Sequence, residues 1–152
     1  MDGTVQILVY SVADCRFGLP LDCVERVYRA AEVTPLHQAP RSVAGVIDVA
    51  GMVIPVISMR RKLHLDDKEM ALDDRMVLVR TSSRAVMLWV DSVEEVIELP
   101  LEKMTTGSRI LPGFPHAEGV LQVDEDLLVV HDLDDFLTLE EQRAHDNDVL
   151  HG

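Results

Sequence analysis

Apolar positions along this chain cluster in short runs bounded by turn residues, with no sustained helical repeat, so the pattern predicts strands. Val5–Val12 (VQILVYSV) reads as a strand, followed by a turn at Ala13-Asp14-Cys15 and a second strand at Arg16–Leu19 that Pro20 closes. In Leu21–Val27, Asp22 and Glu25 have the spacing of a capping box, which predicts a short capped helix before β character resumes at Val27-Tyr28-Arg29. Pro40 suits the first turn of another short helix, which Gly45 would end. Val46–Val49 and Val53–Met59 form a predicted hairpin around Ala50-Gly51-Met52; Pro55 inside the return strand predicts an edge position or a bulge.

Arg60–Leu65 reads as a short basic segment and Asp66–Asp74 as a linker without a period. Met76–Arg80 and Ala85–Val90 are strands about a turn at Thr81–Arg84, and Ser92–Leu99 is a further strand. Leu101–Pro115 is loop-rich. Gly119–Val123 and Leu127–Leu133 form a last hairpin across Asp124-Glu125-Asp126. From Asp134 a helix is expected, with Leu133, Phe136 and Leu137 on one face and acidic residues where the helix dipole favours them. Ala144–Gly152 reads as a flexible tail.

The two halves of the chain repeat one another. Leu21-Asp22-Cys23-Val24-Glu25-Arg26-Val27 matches Val90-Asp91-Ser92-Val93-Glu94-Glu95-Val96, and Gly45–Val49 matches Gly119–Val123; Val53, Ile54 and Val56 then fall opposite Leu127, Leu128 and Val130. Matches that include Asp, Glu and Gly as well as apolar residues predict two similar β-rich units of about five short strands each, near the lower size limit for an independent core. Two such units are expected to pack through an apolar seam. The expected division is a single domain over 1–143, with one subdomain at about 13–68, another at about 75–138 and an N-terminal strand pairing with either.

Composition narrows the function classes. Hydrophobic residues make up 47% of the chain and aromatics 4%, so the core rests on Val, Ile, Leu and Met, a bias that favours sheet. The formal net charge of −13 disfavours nucleic-acid partners and anionic membrane surfaces. Cys15 and Cys23 match neither a zinc site nor a disulfide framework and read as reduced core residues. The N-terminus lacks signal-peptide character, and no apolar stretch reaches the length of a membrane span, so the expected location is cytoplasmic.

Candidate chemistry is sparse. His131 and Asp132 sit at a strand-to-helix junction, where a core-alternating histidine and a helix-capping aspartate account for them better than a metal or acid–base site; a small β-barrel enzyme built on them is the weakest reading. Asp22 and Asp91 read as helix caps in equivalent places rather than as paired catalytic carboxylates. Trp89 reads as a packing residue toward the seam. Asp66, Asp67, Asp73 and Asp74 read as a solvated connection. No phosphate loop, nucleophile elbow or zinc-protease element occurs, so no catalytic residue, metal or cofactor is expected.

The run Gly45-Val46-Ile47-Asp48-Val49-Ala50-Gly51-Met52-Val53-Ile54-Pro55-Val56-Ile57-Ser58-Met59-Arg60 resembles the signature of CheW-like chemotaxis coupling proteins, GVINLRGxVIPVIDLR. Val90–Val96 resembles their VDxVxEV element, and Leu127–Leu137 resembles their closing segment. The resemblance implies a mainly β fold of two five-stranded SH3-like barrels packed together, with short helices and a C-terminal helix. It implies a non-catalytic adaptor that binds the regulatory domain of a CheA-type histidine kinase and the cytoplasmic tip of chemoreceptors. Partner-binding residues would be Val24, Val27, Gly45, Val46, Gly51 and Val93. Two positions depart from the pattern: Arg26 stands where the family usually has Glu, and Ala50 where it usually has Arg. These departures raise the alternative of a diverged scaffold for a non-chemotaxis signalling system. Met87 also replaces a usual Gly, without bearing on the fold.

Overall fold

The computed structural model describes residues 3–100, 117–123, 126–131 and 133–144. The predicted loop at Leu101–Pro115, residues Asp124 and Glu125 of the predicted turn, Asp132 and the tail beyond Ala144 lie outside the described residues. The described residues form ten strands: β1 (Thr4–Val12), β2 (Cys15–Pro20), β3 (Val24–Arg29), β4 (Val43–Val49), β5 (Met52–Ser58), β6 (Arg75–Arg80), β7 (Ala85–Val90), β8 (Ser92–Pro100), β9 (Ala117–Val123) and β10 (Asp126–His131). Short helices α1 (Met59–Lys62), α2 (Leu133–Phe136) and α3 (Leu139–Gln142) complete it.

The strands form two sheets of five, ordered β8-β1-β2-β10-β9 and β3-β6-β7-β5-β4. The orders are the same when β1, β2, β8, β9 and β10 are matched with β6, β7, β3, β4 and β5. The ladders match too, because β2–β10 and β7–β5 are the parallel pairs. Each sheet is an SH3-like five-stranded unit, and the expected mainly β fold of two packed units is the one observed.

Intervals drawn at 13–68 and 75–138 nevertheless cut both sheets. The first interval would join β2 to β3, β4 and β5, which lie in the other sheet, and the second would join β6 and β7 to β8. The first sheet takes its hairpin β1–β2 from the start of the chain and its other three strands from the end, whereas β3–β7 make the second sheet without interruption. The N-terminal strand is central, between β8 and β2.

Packing explains why the apolar runs are continuous. In β1, Ile7 and Val9 face one small cluster with Leu128 and Val130 of β10. Leu8, Tyr10 and Val12 face the opposite way, into a large cluster shared with Ile57, Val77, Val79, Val86, Leu88 and Val90 of the other sheet. Met76, Leu78, Ala85 and Met87 fill the second sheet's own interior with Ile54 and Val56. Central strands are thus buried on both faces, which a run of Val, Ile and Leu satisfies and strict alternation would not.

Several local expectations are corrected. Asp22 lies in a 3-10 turn, Leu21–Cys23, that has no side-chain cap; Pro20 precedes it. No helix follows Pro40, and Gly45 lies inside β4. There Thr34 exchanges backbone hydrogen bonds with Val46 (2.9 and 2.8 Å), bringing its carbonyl so close that a Cβ at Gly45 would meet it at 2.1 Å. β5 is an interior strand; Pro55 is tolerated because the parallel ladder to β7 starts after it, at Val56.

The C-terminal helix is two short turns, because Thr138 and Glu141 form a capping box that starts α3 afresh. Ala144, placed in the tail by the sequence, is buried in the shared core. Cys15 is exposed in the first hairpin, where the sequence suggested a core residue. Trp89 packs on the interior of the second sheet rather than the seam, and its indole N–H donates to Asp74 (2.9 Å).

Candidate functional site

The repeated D-x-V-E segments occupy the two crossovers between sheets. One spans the 3-10 turn from β2 to β3, and the other holds Asp91 between β7 and β8. Chemically the two aspartates have diverged. Asp22 is exposed, whereas Asp91 accepts from the Ala13 amide at the β1–β2 turn (2.8 Å) and from Arg60 Nε and Nη2 of α1 (3.0 and 2.6 Å). It therefore joins the hairpin of one sheet to the helix of the other. Burial pushes the Asp91 carboxyl upward, but the bonds from Arg60 and Ala13 outweigh it and hold the group below its usual range; the same pair raises Arg60. The recess beside this pair, bordered by Ser58, Lys68 and Trp89, holds about 10 Å³, room for no more than a water.

Val24 and Val27 lie in β3, an edge strand. They are three residues apart and would alternate faces in a regular strand. A register shift between Val24 and Arg26 sets Val24 opposite Val79 and Val27 opposite Val77, both of which face the shared core. Val24 is half-buried there, while Val27 remains 37% exposed. Arg26, on the other face, stacks its guanidinium over Tyr28 at 5.5 Å.

Gly45 and Val46 lie in β4 and Gly51 at the tip of the β4–β5 hairpin. Thr34 covers the backbone at Val46, which gives Gly45 a structural reason to be glycine. At the tip, Ala50 and Gly51 both have positive φ, and the Gly51 amide donates to Asp48 Oδ1 (2.8 Å); Met52 and Val53 beside them are exposed. Val93 is the counterpart of Val24, half-buried at the start of β8, the edge strand of the other sheet.

The six residues therefore fall on three edges, with Val24 and Val27 together, Gly45, Val46 and Gly51 together, and Val93 apart. Two features escaped the sequence reading. One is the Arg60–Asp91 pair, which no local spacing signals. The other is Val96, exposed in β8 at the place that the repeat assigns to Val27; the repeat itself was the signal for it.

A CheW-like domain model matches residues 6–141. The chain belongs to the CheW-like domain family. A chemotaxis protein CheW of Rhizobium meliloti is 25% identical over 145 residues, covering 94% of each chain. Protein FrzA of Myxococcus xanthus is 28% identical over 96 residues, covering 63% of this chain and 60% of that one. Among solved structures, the scaffolding protein TtCheW of Thermoanaerobacter tengcongensis superposes with a TM-score of 0.83 at 22% identity, over 92% of this chain and 97% of its own.

Membership in this chemotaxis scaffold family fits strand edges and a hairpin tip that expose Val27, Val96, Met52 and Val53. None of the helices among the described residues is long and apolar enough to cross a membrane.

Proposed function

We propose that this chain is a non-catalytic cytoplasmic adaptor that couples chemoreceptor tips to the regulatory domain of a CheA-type histidine kinase. The observation that carries the reading is a CheW-like domain over nearly the whole chain, with Val27 accessible on a strand edge and Gly51 at a hairpin tip. An edge strand with an exposed apolar residue suits a partner protein's backbone and side chains. A net charge of −13 disfavours nucleic acid as a competing partner. Calorimetry with the cognate kinase regulatory domain and receptor tip is expected to show binding to both, and Val27→Glu to weaken at least one without unfolding the chain. Silence toward both at roughly tens of micromolar would sink the reading.

Arg26 and Ala50 favour a second reading, a related scaffold serving a non-chemotaxis signalling system. Both positions are exposed, on the β3 edge and at the hairpin tip, and both depart from the family pattern. Reversing a charge and removing a five-donor guanidinium alter what such a surface can recognise. The double variant Arg26→Glu/Ala50→Arg separates the two readings. Stronger binding to chemotaxis partners marks a chain that has drifted from that role, and unchanged binding marks a surface with another use.

A further inference from the structure

The connection between α1 and β6 is acidic in composition yet firmly held, and it lifts apolar side chains into solvent. Its anchor is Asp74, buried just before β6, whose carboxylate accepts from Lys68 Nζ (2.7 and 2.8 Å), the Trp89 indole (2.9 Å) and the Ala71 amide (3.0 Å). The Asp74 amide donates back to the Ala71 carbonyl (3.1 Å), closing a turn with Leu72 and Asp73 at its tip. Arg75 donates to the Leu72 carbonyl (3.1 Å), and at the other end of the loop Arg60 donates to the Asp66 carbonyl (2.9 Å). Leu72 is 97% exposed, the most exposed large apolar side chain among the described residues, and Met70 beside it is 37% exposed. Glu69 and Asp73 flank them, exposed and without an ion pair among the described residues. The cations of α1 and of the loop itself are engaged elsewhere: Arg60 by Asp91, Arg61 by Asp67, Lys62 by Glu141 and Lys68 by Asp74.

We propose that this loop is a docking knob for a basic amphipathic helix of a partner protein. Leu72 fills the hole between apolar side chains one helical turn apart, as a knob enters a helix face, and lysines or arginines bordering that face meet Glu69 and Asp73. Burying one leucine favours binding by about tenfold to a hundredfold. Because the turn is fixed beforehand, little of that gain is lost to ordering the loop. Charge selects the occupant. A second copy carries the same net charge of −13, and nucleic acid and anionic membranes carry the wrong sign. None of the residues assigned to kinase and receptor coupling lies in this loop, so the partner is a third one and the inference does not rest on that reading.

Fluorescence anisotropy on the full chain tests it. The probe is a labelled helix-forming peptide with leucines on one face and lysines on the other. Wild type is expected to bind it at roughly tens to hundreds of micromolar, more weakly as salt rises, and to ignore the same peptide with glutamate in place of lysine. Leu72→Ser weakens binding by about tenfold or more, and Leu72→Met keeps most of it. Glu69→Gln/Asp73→Asn weakens it by about tenfold and flattens the salt dependence. Leu139→Ser, at an exposed leucine on α3, is the control and keeps wild-type affinity. Every substituted position is exposed, and circular dichroism checks that each variant folds. Leu72→Ser is also expected to match wild type toward the kinase regulatory domain and the receptor tip. No binding of the lysine peptide across that range overturns the proposal. So does binding that survives Leu72→Ser, since charge alone then holds the peptide. A loss of kinase or receptor binding in Leu72→Ser overturns it as well, because the loop then belongs to the coupling surface.

Discussion

At the scale of single residues, backbone conformation at the hairpin tip is the clearest constraint. Ala50 has φ 52° and Gly51 φ 86°, the two-residue turn with positive φ at both central positions. Glycine adopts this freely, but an alanine there carries a steric cost of about 1 kcal/mol. Ala50→Asn is therefore expected to stabilise the chain by about 0.5–1 kcal/mol, read as a higher urea midpoint at unchanged slope. A midpoint that stays put or falls contradicts this account of the turn. The turn itself was legible in the sequence, although Met52 belongs to β5 and the turn is only Ala50-Gly51. The close approach of Thr34 to Gly45 was not legible, because it joins residues that no local pattern relates.

At the scale of elements, the crossovers and the last helix decide how the sheets are joined. Asp91 ties the β1–β2 turn to α1, while Asp22, its counterpart in the repeat, is exposed and caps nothing. Asp91→Ala is expected to cost about 2 kcal/mol, the worth of charge-assisted hydrogen bonds in a half-buried site, and Asp22→Ala less than about 0.5 kcal/mol. Equal losses in chemical denaturation would mean that the repeat, not the ion pair, governs both places.

The helix α3 is held across the seam by Glu141, which accepts from Lys62 (2.8 Å), from Ser42 and from the Thr138 amide (2.8 Å). Burial pushes this carboxyl up, yet its hydrogen bonds and the Lys62 charge hold it below the ordinary range. A folded pKa below the unfolded value, about 4.3 for glutamate, means that the stabilisation is complete above that value. It is lost as pH falls through the lower folded pKa. Thermal melts between neutral and acid pH should therefore show a drop that Glu141→Gln flattens, the variant also melting lower at neutral pH. A variant that keeps the wild-type acid slope would place the proton uptake elsewhere.

For the whole molecule, the two sheets share one core, so they are expected to unfold together. The large cluster draws Leu8, Tyr10 and Phe17 from one sheet and Val77, Val86 and Leu88 from the other. The chain's single tryptophan, Trp89, lies in the second sheet and reports on it alone, whereas far-UV circular dichroism reports on both. The two signals should follow one coincident urea transition. Separated midpoints would show that each sheet folds as an independent unit and that the seam contributes little.

The succession of strands along the chain, their apolar character and the existence of a repeat were decided by the sequence alone, because burial on a pleated strand is a local property of residue type and period. The repeat even marked which edge strands correspond, and so placed Val27 against Val96. Only the tertiary structure decided that β1–β2 crosses into the sheet built by the end of the chain, leaving β3–β7 as the other. Periodicity marks which strands are apolar but not which strands they bond to, so it cannot choose between groupings. The choice is made by hydrogen-bonded neighbours and by ties such as Arg60–Asp91 and Lys62–Glu141, whose partners stand 31 and 79 residues apart.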